Sequence, residues 1–219
     1  MSRSRLLAAV ATLAFALAGC AGPQNYVTTN GPRYAGCCVP IPTTVPDTLR
    51  IVSYNIKFSQ NIDAALAVLQ GSPELARPDV VFLQEMEEYS VHRIARALRL
   101  NYVYWPATLH PLHHEHFGNA ILARWPIRGD RKILLPHLGQ FGRTQRIAVT
   151  GTIRVGEQSI RLYGFHLATG IELGPARMRD QVHAITNDAD SVFAATGEAI
   201  VMAGDTNKPS IFRDFQNAG

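Results

Sequence analysis

The sequence predicts an α+β fold in which mixed or antiparallel sheets are covered by helices. Strand-like apolar runs and helix-like amphipathic runs alternate along the chain from about Leu49. The runs at 146–155 and 159–166 flank a short Gly156-Glu157-Gln158 turn. Such a tight hairpin requires antiparallel pairing and argues against a purely parallel, doubly wound sheet. The chain has 219 residues, of which 47% are hydrophobic, so it can bury the core of one globular domain.

The remaining elements follow from periodicity and from turn residues. Apolar runs bounded by polar or turn residues predict strands at 49–55, 79–85, 117–124 and 199–204. Apolar side chains spaced three and four residues apart predict helices at 61–70, 90–100 and 174–195. The last of these helices has Pro175 in its first turn, where proline is favoured because its missing N–H would have no helical partner.

The first 19 residues have the layout of a secretory signal peptide. Arg3 and Arg5 precede an apolar run at 6–17, which is too short to span a bilayer comfortably. The ending Leu17-Ala18-Gly19-Cys20 resembles the bacterial lipobox, and this resemblance implies cleavage before Cys20 and a lipid on its sulfur. We therefore expect a location in the bacterial cell envelope, anchored by lipid at the periplasmic face of a membrane. An uncleaved anchor, or an ordinary signal with an incidental cysteine, is the alternative.

Residues 20–48 are predicted to form a lipid-anchored tether, with the folded domain at 49–219. The segment contains five prolines and shows no periodicity, as is typical of a linker. Cys37 and Cys38 are adjacent and therefore poorly placed to bond to each other. Intermolecular bonding and two incidental linker cysteines remain the alternatives, and the spacing does not indicate zinc.

The formal net charge of +4 is a mild bias that suits a phosphate-bearing partner without requiring one. No basic stripe with interleaved aromatic residues occurs, so nucleic acid is a possible partner that the charge pattern does not indicate.

Polar side chains follow four of the apolar strands at the point where each strand ends. They are Asn55, Glu85, His166, Asp205 and Asn207. A carboxylate at the end of a buried strand is costly unless it is paired, hydrogen-bonded or bound to a cation. Ligand sites in layered proteins gather at strand ends, so we expect these side chains to converge on one pocket.

These residue types suit one chemistry. Carboxylates are hard oxygen ligands for Mg²⁺ or Mn²⁺, an amide can orient a carboxylate or a water, and histidine can donate to a phosphate oxygen or transfer a proton. Together they could hold a phosphate ester and activate water against it. Each residue alone has a plainer explanation, such as a turn asparagine, a solvated glutamate or a core histidine. Their coincidence at strand ends favours the site.

From about Leu49 to Gly219 the chain resembles the endonuclease/exonuclease/phosphatase superfamily, which has the deoxyribonuclease-I-like fold. The matching motifs, in the family's order, are SYNIK, FLQE, GNAILAR, RIAVTGTIRVGEQSIRLYGFHL, ARMRDQ and GDTNKPS. The resemblance implies a four-layer α/β/β/α sandwich of two mainly antiparallel sheets. It also implies metal-dependent hydrolysis of a phosphodiester or phosphomonoester, such as a nucleic acid, a phospholipid headgroup or a small phosphate ester.

The resemblance also implies a role for each matching residue. Glu85 would be the principal Mg²⁺ ligand, with Asn55 beside it and Mn²⁺ as the other possible ion. His166 would hydrogen-bond the scissile phosphate, and Asp205 would position or deprotonate the attacking water. Asn207 would bind a phosphate oxygen or the nucleophile. The residues expected to contact substrate are Asn119, Arg146 and Arg177, and for the two arginines surface ion pairs are the alternative.

Two features depart from the family pattern or extend it. The GDTN motif at 204–207 commonly reads GDFN in the family. The strands that follow this motif in the family, and the family's final S-D-H stretch, do not occur before Gly219. We therefore expect a sandwich that is incomplete at its C-terminal end, with weak or absent turnover in the 219-residue form. The chain is either a fragment or a degenerate member, and a non-catalytic envelope lipoprotein is the alternative function. The loop at 110–116 contains four histidines that could bind a transition metal, but a loop implies no regular ligand geometry, and the family resemblance implies a loop that lines the substrate cleft. We therefore expect a solvated or substrate-contacting loop in preference to a dedicated metal site.

Overall fold

Two β-sheets face each other and carry helices on both outer surfaces. The computed structural model of the chain describes residues 23–36, 39–110, 114–140 and 142–216. The expectations for the signal peptide, for Cys20, for the pair Cys37 and Cys38, and for His113 concern residues outside these ranges.

Sheet A has the strand order β1-β5-β6-β4-β3, with β2 pairing on β5 as well. Its strands are β1 (Gln24–Asn25), β2 (Tyr34–Gly36), β3 (Ile51–Asn55), β4 (Val80–Met86), β5 (Asn101–Leu109) and β6 (His116–Ala123). Sheet B has the order β10-β9-β8-β7. Its strands are β7 (Arg128–Leu134), β8 (Ile147–Val155), β9 (Gln158–His166) and β10 (Ala199–Asp205). The pairs β3–β4 and β9–β10 are parallel, and the other pairings are antiparallel.

Four helices complete the described elements, namely α1 (Ile62–Gly71), α2 (Glu88–Leu98), α3 (Pro175–Thr196) and α4 (Phe212–Gln216). Short 3₁₀ turns lie at Lys57–Ser59 and Pro209–Ile211. None of the described helices combines the length and the apolar character needed to cross a membrane.

Three apolar layers hold these elements together. Between the sheets, Phe82 and Trp105 of sheet A lie in one buried cluster with Leu162 of sheet B. Helices α1 and α2 cover the outer face of sheet A, and α3 covers the outer face of sheet B, where Val182 packs in a cluster with Tyr163. Each fully buried apolar side chain stabilises the fold by about 1.5–3 kcal/mol. The α+β sandwich with helices on both sides, expected from the sequence, is confirmed.

The N-terminal part of the expected tether is docked on the domain. Strands β1 and β2 pair antiparallel with β5. Arg33 makes two hydrogen bonds of 2.7 Å to Asp130, and Lys132 donates to the carbonyls of Tyr26 at 2.6 Å and Gly31 at 3.1 Å. The pairing of β1 and β2 occupies backbone groups along the β5 edge that would otherwise be open, and the side-chain bonds hold the segment in place. Strands of two and three residues have no readable periodicity, so no sequence pattern predicts them.

The topology places the four strand ends together. In β3 and β4, Asn55 lies beside Gln84; in β9 and β10, His166 lies beside Asp205. Strands β10 and β3 also contact each other across the two sheets. The carboxyl ends of both parallel pairs therefore meet at one end of the sandwich.

Candidate active site

Asn55, at the end of β3, joins the two carboxylates expected at the site. Its Nδ2 donates to Glu85 Oε1 at 3.0 Å and to Asp205 Oδ2 at 2.7 Å. Its Oδ1 accepts from the backbone N–H of Lys57 at 3.1 Å, which decides which end of the amide faces the carboxylates. In this arrangement Asn55 acts through its nitrogen and orients both carboxylates, while its oxygen is engaged elsewhere.

Glu85 occupies a strained position in a β-bulge. Leu83 pairs with Ala120 and Met86 pairs with Gly118, so two residues of β4 face one residue of β6. The bulge gives Glu85 a φ of 60°, which is uncommon for a residue other than glycine. Such a conformation costs about 1–3 kcal/mol and is found most often at functional sites. The bulge directs the Glu85 carboxylate to Asn55 at the end of the strand.

The turn after β10 holds Asp205 and Asn207 in a fixed relation. Asp205 Oδ1 accepts from the backbone N–H of Asn207 at 2.7 Å, which closes an Asx turn. Asn207 has a φ of 53°, a left-handed conformation that asparagine tolerates. Its Nδ2 donates to the carbonyl of Leu167 at 2.9 Å and lies 2.9 Å from His166 Nε2. Asp205 therefore uses one oxygen for the turn and the other for Asn55.

His166 is the most buried member of the cluster, with 3% of its surface exposed. Its Nε2 lies 3.8 Å from Glu85 Oε1 and 3.9 Å from Asp205 Oδ2. Burial, and then the positive charge of Arg146, lower the pKa of His166 well below its usual value. The imidazole is therefore neutral near pH 7, and it faces two carboxylates without forming a charged pair with them.

Arg146 and Glu172 lie behind His166. Arg146 Nη1 is 3.0 Å from His166 Nδ1 and 3.3 Å from Nε2. Arg146 Nη2 donates to Glu172 Oε2 at 3.0 Å, and the guanidinium lies 5.6 Å from the centre of the Phe117 ring. Arg146, expected as a substrate contact or a surface ion pair, thus forms a buried ion pair with Glu172. Burial by itself would raise the pKa of Glu172, but the positive charge of Arg146 and the hydrogen bonds from Thr169 and Arg146 lower that pKa below its usual value.

The two other expected substrate contacts are not brought into this cluster by any described bond. Asn119 is buried in β6, and its Nδ2 donates at 2.9 Å to the carbonyl of Ile147, which ties sheet A to sheet B. Arg177 is exposed in the first turn of α3 and has no hydrogen bond or ion pair with a described residue. Their assignment as substrate-binding residues stays a prediction.

Two supporting residues were not singled out from the sequence. Glu172 lies in the loop between β9 and α3, where no motif or periodicity marks it. Gln181 is fully buried, and it bridges the N–H of Ala168 at 3.0 Å and the carbonyl of Pro136 at 2.9 Å, which secures the chain just after His166. A polar residue on the apolar face of α3 was the available signal for Gln181.

The described part of the histidine-rich loop lies beside the site. His110 packs on Phe58 and Phe117, with ring centres 4.7 and 5.5 Å apart, and Phe117 in turn lies 6.0 Å from the His166 ring. His116 contacts the rings of Tyr26 and Tyr34. This placement agrees with a loop beside the cleft. Among the described residues, no three histidine, cysteine or acidic side chains form a group that could hold a metal ion.

The donor set at the strand ends nevertheless fits a hard divalent cation. Glu85 and Asp205 are partly buried, and within the described ranges His166 is the only basic side chain within ion-pair distance of either. Because that imidazole is neutral, the two partly buried carboxylates lie close together without a compensating positive charge. Mg²⁺ and Mn²⁺ are bound by oxygen, and Mg²⁺ typically uses one or two carboxylates and keeps several waters. Glu85 would supply a protein oxygen to the cation, and Asp205, linked to Glu85 through Asn55, would act on a water beside it.

A two-sheet sandwich with this cluster at one end defines a class of proteins that act on phosphate esters. The sequence matches the Endonuclease/Exonuclease/phosphatase family over residues 52–219, and the chain belongs to that family. The family's name joins nucleases and phosphatases, all of which are phosphoester hydrolases. No curated protein sequence matches the chain.

Solved structures with this fold include three that cover most of the chain. A humanized D. rerio TDP2 is 21% identical with a TM-score of 0.56, and the match covers 78% of this chain and 70% of that one. The human Nocturnin catalytic domain with bound sulfate anion is 16% identical with a TM-score of 0.59, covering 77% and 68%. A Bacteroides thetaiotaomicron mannosyl-6-phosphatase is 16% identical with a TM-score of 0.62, covering 78% and 71%. At these identities the likeness establishes the fold.

Proposed function

We propose that this protein is a divalent-metal-dependent phosphoesterase that hydrolyses a phosphodiester or a phosphomonoester. The observation that carries the proposal is the convergence of five polar side chains from four strand ends on one partly buried site with two uncompensated carboxylates. Asn55 links the two carboxylates of that site by hydrogen bonds of 3.0 and 2.7 Å. Membership of a family of nucleases and phosphatases supports the same reaction class.

Glu85 would hold the cation as its principal protein ligand, and Asn55 would keep the Glu85 carboxylate oriented towards it. When bound, Mg²⁺ or Mn²⁺ supplies Lewis-acid polarisation of a phosphoryl oxygen. Orienting groups of this kind matter because their loss typically costs 10–100-fold in metal affinity or activity. No arginine or lysine within the described ranges competes with a cation by pairing with either carboxylate.

The other side chains of the cluster would activate the water and bind the phosphate. Asp205 takes a proton from the attacking water as the oxygen–phosphorus bond forms, and the ester bond to the leaving group breaks. The leaving oxygen takes a proton from solvent. His166 donates a hydrogen bond to a phosphoryl oxygen, and the Asn207 amide, 2.9 Å from His166 Nε2, lies where it can contact a second oxygen. Exclusion of water around His166 strengthens these hydrogen bonds.

The substrate is proposed at the level of class. A nucleic acid, a phospholipid headgroup and a small phosphate ester all present the phosphate that this site would bind. Among the structural neighbours, one TDP2 structure is described as complexed with single strand DNA product, and another neighbour is a mannosyl-6-phosphatase. We also propose that the protein is attached to the bacterial envelope by lipid at Cys20, on the strength of the lipobox-like ending at 17–20.

The test is hydrolysis of bis-p-nitrophenyl phosphate and p-nitrophenyl phosphate, an oligonucleotide and a phospholipid by the purified full chain. We expect weak turnover of at least one substrate with Mg²⁺ or Mn²⁺, abolished by EDTA and restored by added metal. Glu85→Gln keeps the size of the side chain and removes its charge, so activity should fall by about 100-fold or more. Glu198→Gln, remote from the cluster, is the matched control.

A folded protein that binds Mn²⁺ but hydrolyses none of these substrates would support the alternative of a non-catalytic binding protein. Turnover that survives EDTA, or that is equal in Glu85→Gln and Glu198→Gln, would contradict the proposed site.

A further inference from the structure

The described chain enters the domain at the end of the sandwich that carries the candidate active site. Strand β1 pairs with the last two residues of β5, with Gln24 opposite Leu109 and Asn25 opposite Thr108. The Thr108 hydroxyl also donates to the Gln24 carbonyl at 3.0 Å. Gln24 is therefore held at the end of β5, next to the loop that begins at residue 110.

Asn25 connects this entry point to the site itself. Its Nδ2 donates to the Arg143 carbonyl at 2.8 Å, and its Oδ1 accepts from the N–H of Gln145 at 2.8 Å. Gln145 precedes Arg146, whose Nη1 lies 3.0 Å from His166 Nδ1. Only Arg146 therefore stands between the partners of Asn25 and a member of the cluster at the strand ends.

Chain length limits how far a lipid on Cys20 can lie from this end. Gln24 is four residues after Cys20, and four residues reach at most about 14 Å in any conformation. The nine residues of β5 separate the two ends of the sandwich, and nine strand residues span about 27 Å. A bilayer that holds a lipid on Cys20 therefore lies close to the active-site end, and the domain cannot face that bilayer with its opposite end.

Charge alone would favour the opposite end. Arg99 and Arg124 are exposed there, beside the first residue of β5 and the last residue of β6. Exposed arginines attract anionic lipid headgroups. The two ends thus compete as membrane-facing surfaces, and the short link from Cys20 to Gln24 decides for the active-site end.

The active-site end also presents the two most exposed large apolar side chains of the described residues. Ile171 is 79% exposed in the loop that follows His166, and Tyr89 is 70% exposed at the start of α2, shortly after the end of β4. A single exposed apolar side chain is ordinary on a protein surface. On a surface held against a bilayer, such side chains can enter the interfacial region, where tyrosine is enriched.

We propose that the end of the sandwich that carries Glu85, His166 and Asp205 faces the bilayer that holds the lipid on Cys20, and that the substrate is a phosphate ester of a lipid headgroup in that bilayer. The inference rests on the proposed function, both its reaction and its lipid anchor. It narrows the substrate to the phosphate esters that lie in front of the site when the chain is anchored.

The orientation is tested with the full chain isolated from bacterial membranes, with the Cys20 peptide checked by mass spectrometry. The protein is placed in vesicles of phosphatidylethanolamine and phosphatidylglycerol, to which a lipid with a nitroxide quencher on its headgroup is added. A bimane label is attached at Ile171→Cys or at Phe193→Cys, with Cys37→Ser and Cys38→Ser in both proteins. Phe193 is the matched control, because it is 59% exposed near the end of α3, at the opposite end of the sandwich.

We expect strong quenching of the label at Ile171→Cys and weak quenching of the label at Phe193→Cys. Quenching at Phe193→Cys that equals or exceeds quenching at Ile171→Cys would overturn the proposal, as would a Cys20 that carries no lipid. Neither measurement requires metal or turnover, so a failure here is distinct from a failure of the proposed hydrolysis.

The substrate is tested by the rate of phospholipid hydrolysis in the vesicles that hold the protein. An insertion of about 16 glycine and serine residues after Gly22 adds an r.m.s. reach of about 20–24 Å between the lipid and the domain. It should lower the rate on phospholipid several-fold and leave the rate on soluble p-nitrophenyl esters unchanged. A rate on phospholipid that the insertion does not change, or an oligonucleotide hydrolysed faster than phospholipid by the vesicle-bound protein, would overturn the assignment of the substrate.

Discussion

Sheet B carries a buried arginine–glutamate pair at each end, and the two pairs are close to equivalent in their own geometry. Arg146 and Glu172 are 3.0 Å apart with side chains 9% and 17% exposed. Arg161 and Glu198 are 2.9 Å apart with side chains 14% and 15% exposed. The pairs differ in what surrounds them. Glu198 also accepts from the Thr152 hydroxyl at 3.2 Å, so that pair is complete within the protein.

The pair at the other end is not complete within the protein. Arg146 uses one nitrogen on a neutral imidazole and leaves Nε without a partner among the described residues. Beyond the imidazole lie the two uncompensated carboxylates of Glu85 and Asp205. An ion pair therefore says little about function by itself. Unsatisfied charge and unpaired donors around it indicate a site that is completed by a ligand.

The largest expected contrast between the two ends is in catalysis. Asp205→Asn preserves the shape of the side chain but removes the proton acceptor, so kcat should fall by about 10²–10⁴-fold. Glu198→Gln makes the same kind of change at the opposite end and should leave kcat of the folded protein unchanged. Steady-state rates on the best substrate of the panel measure both. Equal losses in the two variants would mean that Asp205 supports only the fold.

The next contrast is in stability, where the two ends should behave alike. Removing one partner of a buried ion pair leaves the other uncompensated, so Arg161→Met and Arg146→Met should each lower the free energy of unfolding by about 3 kcal/mol. Urea denaturation followed by circular dichroism checks the values. An Arg146→Met protein as stable as the wild type would contradict this prediction. It would mean that removing the unpaired Nε of Arg146 gains as much stability as losing the ion pair costs.

Two buried asparagines provide a smaller contrast. Asn119, near the site, donates to the Ile147 carbonyl at 2.9 Å, and Asn101, at the remote end of sheet A, donates to the Arg124 carbonyl at 3.2 Å. Replacing either by alanine should cost about 1–3 kcal/mol, because a buried carbonyl loses its donor. If Asn119 also binds substrate, as the sequence suggests, KM should rise in Asn119→Ala alone. An unchanged KM would leave Asn119 with a purely structural role.

The last contrast concerns Lys132, in the middle of strand β7 between the two ends, and it is confined to alkaline pH. Burial lowers the pKa of Lys132 from 10.5 to about 8 in the folded protein. Between these values the unfolded chain binds more protons than the folded one, so stability rises with pH. The wild type should therefore gain stability relative to Lys132→Met between about pH 8 and pH 10 in paired urea titrations. A difference that is constant over this range would contradict the lowered pKa.

The main elements and the membership of the site followed from local patterns. The strand expected at 79–85 is observed at Val80–Met86, and the helix expected at 174–195 is observed at Pro175–Thr196. The sequence did not predict strands β5 and β7. Pro106 interrupts the apolar run of β5, and charged residues interrupt the apolar run of β7. Local patterns could not predict the contacts of Arg146, because His166 is 20 positions and Glu172 is 26 positions away along the chain.

The sequence by itself determined most of the main strands and helices, and that polar side chains end four apolar strands. It could do so because burial imposes a short repeat on neighbouring residues, and because a polar group at the end of such a strand requires a partner. Only the tertiary structure decided that Asn55 faces the carboxylates with its nitrogen, that two short strands within residues 24–36 pair with sheet A, and that Arg146 lies against His166. Those outcomes depend on hydrogen-bond directions between segments distant in the chain, and no local repeat encodes them.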